Sequence, residues 1–265
     1  MRRNVVVCIL VFLTVIFAVE QTYAAPVAYW RFDEGSGTTA ADSAGSNNAS
    51  LVNGPAWSAD KPTTPFTNLY SISFDGVNDY VLKNGVVTTA IDNVTLAAWV
   101  KWEGPNNISS PQTILYNGNS GTSGYGMYLW SDGSIFILAG GVAIISTNIT
   151  LTTDNTWHHL AAKRESGTWT IFFDGTQQTV TVNNNATPNI PSGDLIIGGN
   201  NLVSESFNGV IDDVRIYDQA LSSSAIAALV TGPVNVPTMN EWGMIIFMVF
   251  SGVGSIYYLR RQRRV

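Results

Sequence analysis

Short runs of alternating apolar and polar residues dominate the chain between residues 27 and 217. Residues 27–33 (VAYWRFD) place Ala28, Trp30 and Phe32 on one face, the period-two pattern of a half-buried strand. Comparable runs occupy 69–74, 80–83, 95–102, 113–116, 125–130, 134–139 and 142–146. The series continues through 157–163, 168–173, 179–182, 195–197 and 207–217. Asp132-Gly133 and Asp174-Gly175 fall between such runs and predict tight hairpins. Residues 34–50 (EGSGTTAADSAGSNNAS) are too polar and Gly-rich for a core element and read as a long surface loop. About a dozen short strands with frequent turn signals predict an all-β, two-sheet antiparallel sandwich rather than a βα array. One helix is expected in the domain, over 222–230, with Ser222 as its N-cap. Ala225 stands where a Glu would close a capping box.

The stretch 207–221 (FNGVIDDVRIYDQAL) reads as the last strand and the corner before that helix. Strict alternation puts Val210, Val214 and Ile216 on one face and adds Asp212 to it. A carboxylate in an apolar register is costly unless it is paired, hydrogen-bonded or bound to a metal. Asp212 is therefore the most informative single residue.

Charge separates the middle of the chain from its ends. Residues 25–236 hold 17 Asp and Glu against 7 Lys and Arg, a net −10. Six arginines sit at the termini: Arg2, Arg3, Arg260, Arg261, Arg263 and Arg264. So acidic a middle excludes a nucleic-acid surface, which needs a basic stripe. The single cysteine, Cys8, lies in the N-terminal apolar run, so disulfides and zinc thiolates are excluded from the domain.

Residues 1–24 carry the three parts of a secretory signal: two arginines, an apolar run over 5–19, and small residues before a cleavage point after Ala24. Residues 232–235 read as a linker. At the other end, VPTMNEWG (236–243) precedes an apolar run and RRQRRV (260–265). The span 242–259 is of membrane-crossing character, with Trp242, Tyr257 and Tyr258 as aromatic belts and the arginines marking the cytoplasmic side. This tail resembles the IPTL-type C-terminal protein-sorting domain of bacterial surface proteins. The resemblance rests on Val236, Pro237, Thr238, Met239, Glu241, Trp242 and Gly243, and departs from the family at Val236 and Met239. It implies an exosortase-type transpeptidase and a signal peptidase as processing partners. It also implies an inner-membrane intermediate, then the cell surface or outer matrix of a Gram-negative envelope.

Between these ends, residues 25–231 resemble the LamG-like, concanavalin A-like jelly rolls. The pieces that carry the resemblance are AYWRFDEGSGTTAADSAG, SISFDGVNDYV, VTLAAWVKW, WHHLAAKRESGTWTIFFDG and FNGVIDDVRIYDQALS, in that order. Glucanases of this architecture carry a Glu-x-Asp-x-x-Glu run on one strand. None of Glu34, Glu103, Glu165, Glu205 and Glu241 has an acid at i+2, and Asp212 and Asp213 point to opposite faces. Catalysis is therefore not expected. His158 and His159 likewise face opposite sides, one packed beside Trp157 and the other at the surface, so no metal pair is expected. Trp30, Trp57, Trp99, Trp157 and Trp169 read as core.

Two sites are candidates. The resemblance implies a structural Ca2+ in some relatives, near the junction of first and last strands. Asp33, Asp42, Asn47 and Asp212 offer hard oxygen donors there; the alternative is pairing of Asp212 with a loop amide or Arg31, and of Asp213 with Arg215 or solvent. Glycan stacking needs exposed aromatics beside amides, and Tyr125, Tyr128, Trp130 and Trp102 are the candidates, although Tyr128 and Trp130 share parity as core residues would. The expected function is an exported, surface-anchored recognition or adhesion module for carbohydrate. Alternatives are a matrix spacer without a ligand and a polysaccharide-acting hydrolase or lyase.

Overall fold

The computed structural model describes residues 24–106, 110–178, 185–200 and 205–232, together with Phe250. The signal peptide, the sorting motif, the membrane span and the strand expected at 179–182 lie outside the described residues. Among the described residues, no helix is long and apolar enough to cross a membrane.

Two antiparallel sheets face each other. Sheet A contains β1 (Ala28–Trp30), β4 (Ala56–Ser58), β5 (Ser71–Asp75), β7 (Val94–Trp102), β12 (His158–Glu165), β13 (Thr168–Phe173), β14 (Thr176–Gln177) and β16 (Asn208–Tyr217). Sheet B contains β2 (Thr39–Ala40), β3 (Ala49–Val52), β6 (Tyr80–Lys83), β8 (Gln112–Asn119), β9 (Ser123–Leu129), β10 (Ser134–Ala139), β11 (Ala143–Thr150) and β15 (Asp194–Ile197). The order across sheet B is β11-β10-β9-β8-β15-β6-β3-β2. In sheet A it is β14-β13-β12-β7-β16-β5-β4, with β1 added alongside β16. The first and last strands are thus neighbours, Ala28 standing opposite Ile216.

Alternation explains the layers. Along β7, Leu96, Ala98, Val100 and Trp102 enter the core between the sheets, where Trp30, Ile72, Tyr125 and Trp169 are fully buried. Tyr125 of sheet B meets Trp169 of sheet A edge to face at 5.9 Å, a geometry aromatic pairs prefer. The other face of β7 is buried as well, because two covers lie over it. One is α1 (Ser223–Thr231), whose Ala225 and Ile226 pack on Ala97, Ala161, Phe172 and Tyr217. The other is the connection from β4 to β5, which ties Asp60 to Lys101 and Asn68 to Asp212. Ser222 caps α1 as expected, its Oγ accepting from the Ala225 N–H at 3.1 Å. Gly232, at φ +80°, ends it.

Two expectations need correction. Residues 34–50 are not all surface loop: Thr39 and Ala40 pair with Ser50 and Ala49 at the edge of sheet B. Small side chains let both alanines bury there despite the polar composition. The alternation of the last strand also breaks. A bulge between Asp212 and Arg215, with Asp213 at φ +53°, shifts the register against β7. Ile211 before it and Val214 and Ile216 after it face the core, so Asp212 shares its face with Val210 and lies on the outer side. The bulge sits where the neighbour of β16 changes from β5, paired through Ile211, to β1, paired from Val214. Bulges commonly re-aim a side chain at such a break in pairing.

Candidate binding groove and the buried acid of the last strand

Sheet B builds the candidate site. The alternation that sends Tyr125, Met127 and Leu129 inward sends Gly126 and Tyr128 to the outer face. Register then aligns Leu82, Ile196, Tyr116, Gly126, Leu138 and Ile144 in one row across six strands. A second set of rings lies beside it. Tyr128 stacks on Phe136 at 5.4 Å, Trp130 stacks on Phe136 at 4.6 Å, and Tyr116 meets Tyr128 edge-on at 5.7 Å. Gly126 makes this possible, since a Cβ there would lie 2.6 Å from Cδ2 of Tyr116.

Next to the rings opens a cleft of about 230 Å³, lined by Tyr80, Leu82, Tyr116, Tyr128, Ile196, Asn119, Ser120, Asp194, Asn200 and three glycines. Glu205 stands behind its Tyr128 wall. The Glu205 Oε2 accepts from the Tyr128 hydroxyl and the Thr113 hydroxyl, both at 3.5 Å, and from the Asn200 amide. Burial pushes the Glu205 carboxyl above its ordinary range, and these donors oppose the shift. The Tyr128 and Tyr116 hydroxyls are raised by burial first and by the Glu205 charge after it. Asp194 belongs to the lining itself, and its Oδ1 accepts the Gly85 N–H at 2.8 Å. The cleft therefore has an aromatic and aliphatic wall with two amides and a carboxylate at it. Tyr116 and Tyr128 are each only 2% exposed and Tyr80 9%, so the wall is a tightly packed one with a few convergent polar groups.

Of the aromatics expected to meet a ligand, Tyr128 lines the cleft, and Trp130 lies one ring further off, stacked on Phe136. Their shared parity is the outer face of sheet B, where Tyr128 is buried with Tyr116 and Phe136 in a second cluster and Trp130 packs against it. Tyr125 and Trp102 are placed elsewhere: both are buried between the sheets, Tyr125 donating to the Ala90 carbonyl and Trp102 to Gln112 Oε1. Both belong to the core between the sheets and neither lines the cleft. Sequence reasoning missed Tyr80, Tyr116, Asn119, Asp194, Asn200 and Glu205. A signal was available: Tyr80 and Leu82, Tyr116, and Ile196 are apolar at positions a solvated outer face would fill with polar residues.

The four calcium candidates do not form one donor set. Asp42 is saturated by N–H donors: Tyr29 and Ala44 on Oδ1, and the main-chain and side-chain nitrogens of Asn47 on Oδ2, all at 2.9 Å. Burial raises its pKa, yet these hydrogen bonds outweigh it and hold the carboxyl below the usual range. Asp33 pairs with Arg31 at 2.9 Å and accepts from the Leu69 N–H. Asp212 accepts from Asn68 Nδ2 at 2.7 Å and from the Asp213 N–H at 2.8 Å. Among the described residues, no cluster of three or more His, Cys, Asp or Glu could hold a metal ion. The residues face amides and a guanidinium, an arrangement that does not fit a hard cation.

Around Asp212 the structure instead forms a polar layer under the β4–β5 connection. Asp213 pairs with Arg215 at 2.9 Å, and the guanidinium lies over the rings of Tyr29 and Phe66 at 4.3 and 4.9 Å. Burial pushes the Asp212 carboxyl up to about 8, the neighbouring Asp213 charge adding to the effect. His159 packs on Trp99 at 5.3 Å, not on Trp157, and burial holds its imidazole down at about 3. His158 lies on the other side of β12 and pairs with Asp174 at 2.9 Å. Trp30 and Trp169 lie in the core between the sheets, Trp99 is buried on the outer side of sheet A, and Trp57 and Trp157 remain half-buried.

With fold and groove in place, comparison with known proteins becomes specific. Residues 75–227 match the family model described as the concanavalin A-like lectin/glucanases superfamily, and the chain belongs to that family. No curated protein sequence matches it. Among solved structures it is similar to domain 4 of AbnA, a GH43 extracellular arabinanase from Geobacillus stearothermophilus, solved with arabinotriose. That likeness has a TM-score of 0.61 at 18% identity and covers 79% of this chain and 100% of that one. The binding domain of Paraclostridial Mosquitocidal Protein 1 is similar at a TM-score of 0.60 and 15% identity, over 77% of this chain and 51% of that one. Trypanosoma rangeli sialidase follows at 0.56 and 16%, over 77% of this chain but only 32% of the sialidase. At these identities the likeness establishes the two-sheet sandwich and nothing finer.

Proposed function

We propose that this chain is a non-catalytic carbohydrate-recognition module and that the groove on the outer face of sheet B is its binding site. The observation that carries the reading is the cleft lined by Tyr80, Tyr116 and Tyr128 with the amides of Asn119 and Asn200. Aromatic faces stack on the apolar faces of sugar rings, while amides and carboxylates take the hydroxyls. At about 230 Å³ the cleft is smaller than the ~300–1,000 Å³ of drug-sized pockets, so it seats one residue of a longer chain. Recognition rather than cleavage is supported by the acid inventory. Glycoside hydrolysis takes two facing carboxyls, and Asp194 is the one carboxylate among the described lining residues, engaged by Gly85. The arabinotriose complex of the similar arabinanase domain is compatible with a sugar-binding role for such a sandwich.

Export and surface sorting complete the proposal and rest on the sequence of the two ends alone. Intact-mass measurement of the protein from its native envelope tests them: a chain from Ala25 to about Val236 supports both, and retention of 244–265 refutes sorting. Recognition is tested on a panel of immobilised polysaccharides. Binding that is lost in Tyr80→Ala, with the melting temperature kept, supports the groove. Release of reducing ends from any polymer would refute the non-catalytic reading.

A further inference from the structure

The groove has a charge that restricts what it can take. Its described lining holds Asp194 and no lysine or arginine, and Glu205 lies directly behind Tyr128. Of the seven lysines and arginines of the domain, five are in ion pairs elsewhere, and Lys61 lies exposed in the β4–β5 connection on the side of sheet A. Arg31 pairs with Asp33, Lys101 with Asp60, Arg164 with Asp92 and Arg215 with Asp213. Lys163 pairs with Glu165. These residues belong to sheet A and the segments flanking its strands. Within the strands of sheet B, Lys83 is the one basic residue. It stands opposite Leu195 in register, on the core-facing side, and reaches the Val86 carbonyl.

We infer that the groove selects neutral sugars, hexose or pentose polymers without carboxylate or sulfate, and rejects uronic, sialic and sulfated glycans. The inference rests on the recognition reading above and deepens it. An anionic sugar seated in the cleft beside Tyr80 meets the Asp194 carboxylate, with no guanidinium or ammonium in the described lining to pair with. Removing a charge from water without a partner is costly, and a like charge adds to the cost. A neutral sugar meets the same groups as hydrogen-bond partners: its hydroxyls donate to Asp194 and accept from the amides of Asn119 and Asn200. With no cation to steer by, binding also carries little salt dependence.

The test uses the full protein and polymer pairs that differ only in charge. Immobilised glucan, xylan, arabinan and mannan are compared with the same polymers carrying carboxylates, for example glucan and mannan oxidised at C6, together with alginate and heparin. The expected result is binding to at least one neutral polymer, little changed by salt, and about tenfold or more weaker binding to its charged counterpart. A Ser120→Arg variant, which places a cation at the cleft, should narrow that gap. Equal binding to both members of a pair, or binding confined to anionic polymers, overturns the inference while recognition stands. No binding to any polymer overturns the recognition reading, and the inference with it.

Discussion

Asp212→Asn is the perturbation with the sharpest expected signature, because the buried acid of β16 ties stability to pH. An aspartate ordinarily titrates at 3.8, and burial in the fold pushes Asp212 up to about 8. Between those values the native protein holds a proton that the unfolded chain has released. Stability is therefore greatest at low pH and falls as pH rises, by about 1.4 kcal/mol per unit for this one group. From pH 5 to pH 8 the sum is about 4 kcal/mol. The neutral form also suits the geometry. Asn68 Nδ2 already donates to Asp212 Oδ2, and Asn68 Oδ1 has no described partner, so a protonated Asp212 can donate to it and complete the pair. Asparagine at 212 offers the same donor and acceptor at every pH. Urea unfolding followed by tryptophan fluorescence, at pH 5 and pH 8, measures the double difference. His159, held neutral by burial, and Glu205 contribute to both proteins and cancel. The wild type should lose several kcal/mol more than the variant between the two pH values, and the variant should be the more stable at pH 8. Parallel pH dependence in the two proteins would refute a protonated, buried Asp212.

Other outcomes follow from single contacts. EDTA should leave the melting temperature unchanged, because Asp42 is satisfied by N–H donors rather than by a cation; a fall would restore the metal at that turn. Gly126→Ala should destabilise by about 2 kcal/mol or more, since the new Cβ meets the Leu115 carbonyl and the Tyr116 ring, and a wild-type melt would contradict the packing of the groove wall. Ser222→Ala should cost about 1 kcal/mol through the lost cap on the Ala225 N–H, read by chemical denaturation.

Much of the sandwich was legible because strand alternation is a local property. Tyr80–Lys83, Ser134–Ala139 and Thr168–Phe173 have the bounds that the pattern of their residues predicts. The short strands at Thr39–Ala40 and Ala49–Val52 were illegible for a physical reason. The first pairs with β3 alone, the second lies between β2 and β6, and each buries an alanine, which leaves no periodic apolar signature.

The sites were harder to read because each depends on which face of a strand is outside. For Tyr128 the parity pointed to burial, and the ring is buried with Tyr116 and Phe136, but on the outer face of sheet B. A core-like pattern on an outer face looks the same, in one dimension, as a core. Asp212 shows the complementary limit. Its alternation with Val210, Val214 and Ile216 holds only for an uninterrupted strand, and a single extra residue at the bulge reverses the sides. That bulge arises from the sheet, at the handover from β5 to β1, and not from any residue preference within 207–217. Yet its consequence was in the sequence all along, since Asn68, Asp213 and Arg215 are the loop amide and the ion pair that the alternative to calcium required. The acid is costly in either register, and the fold accommodates it by enclosing it, half-paired, beneath a connection that arrives from elsewhere in the chain.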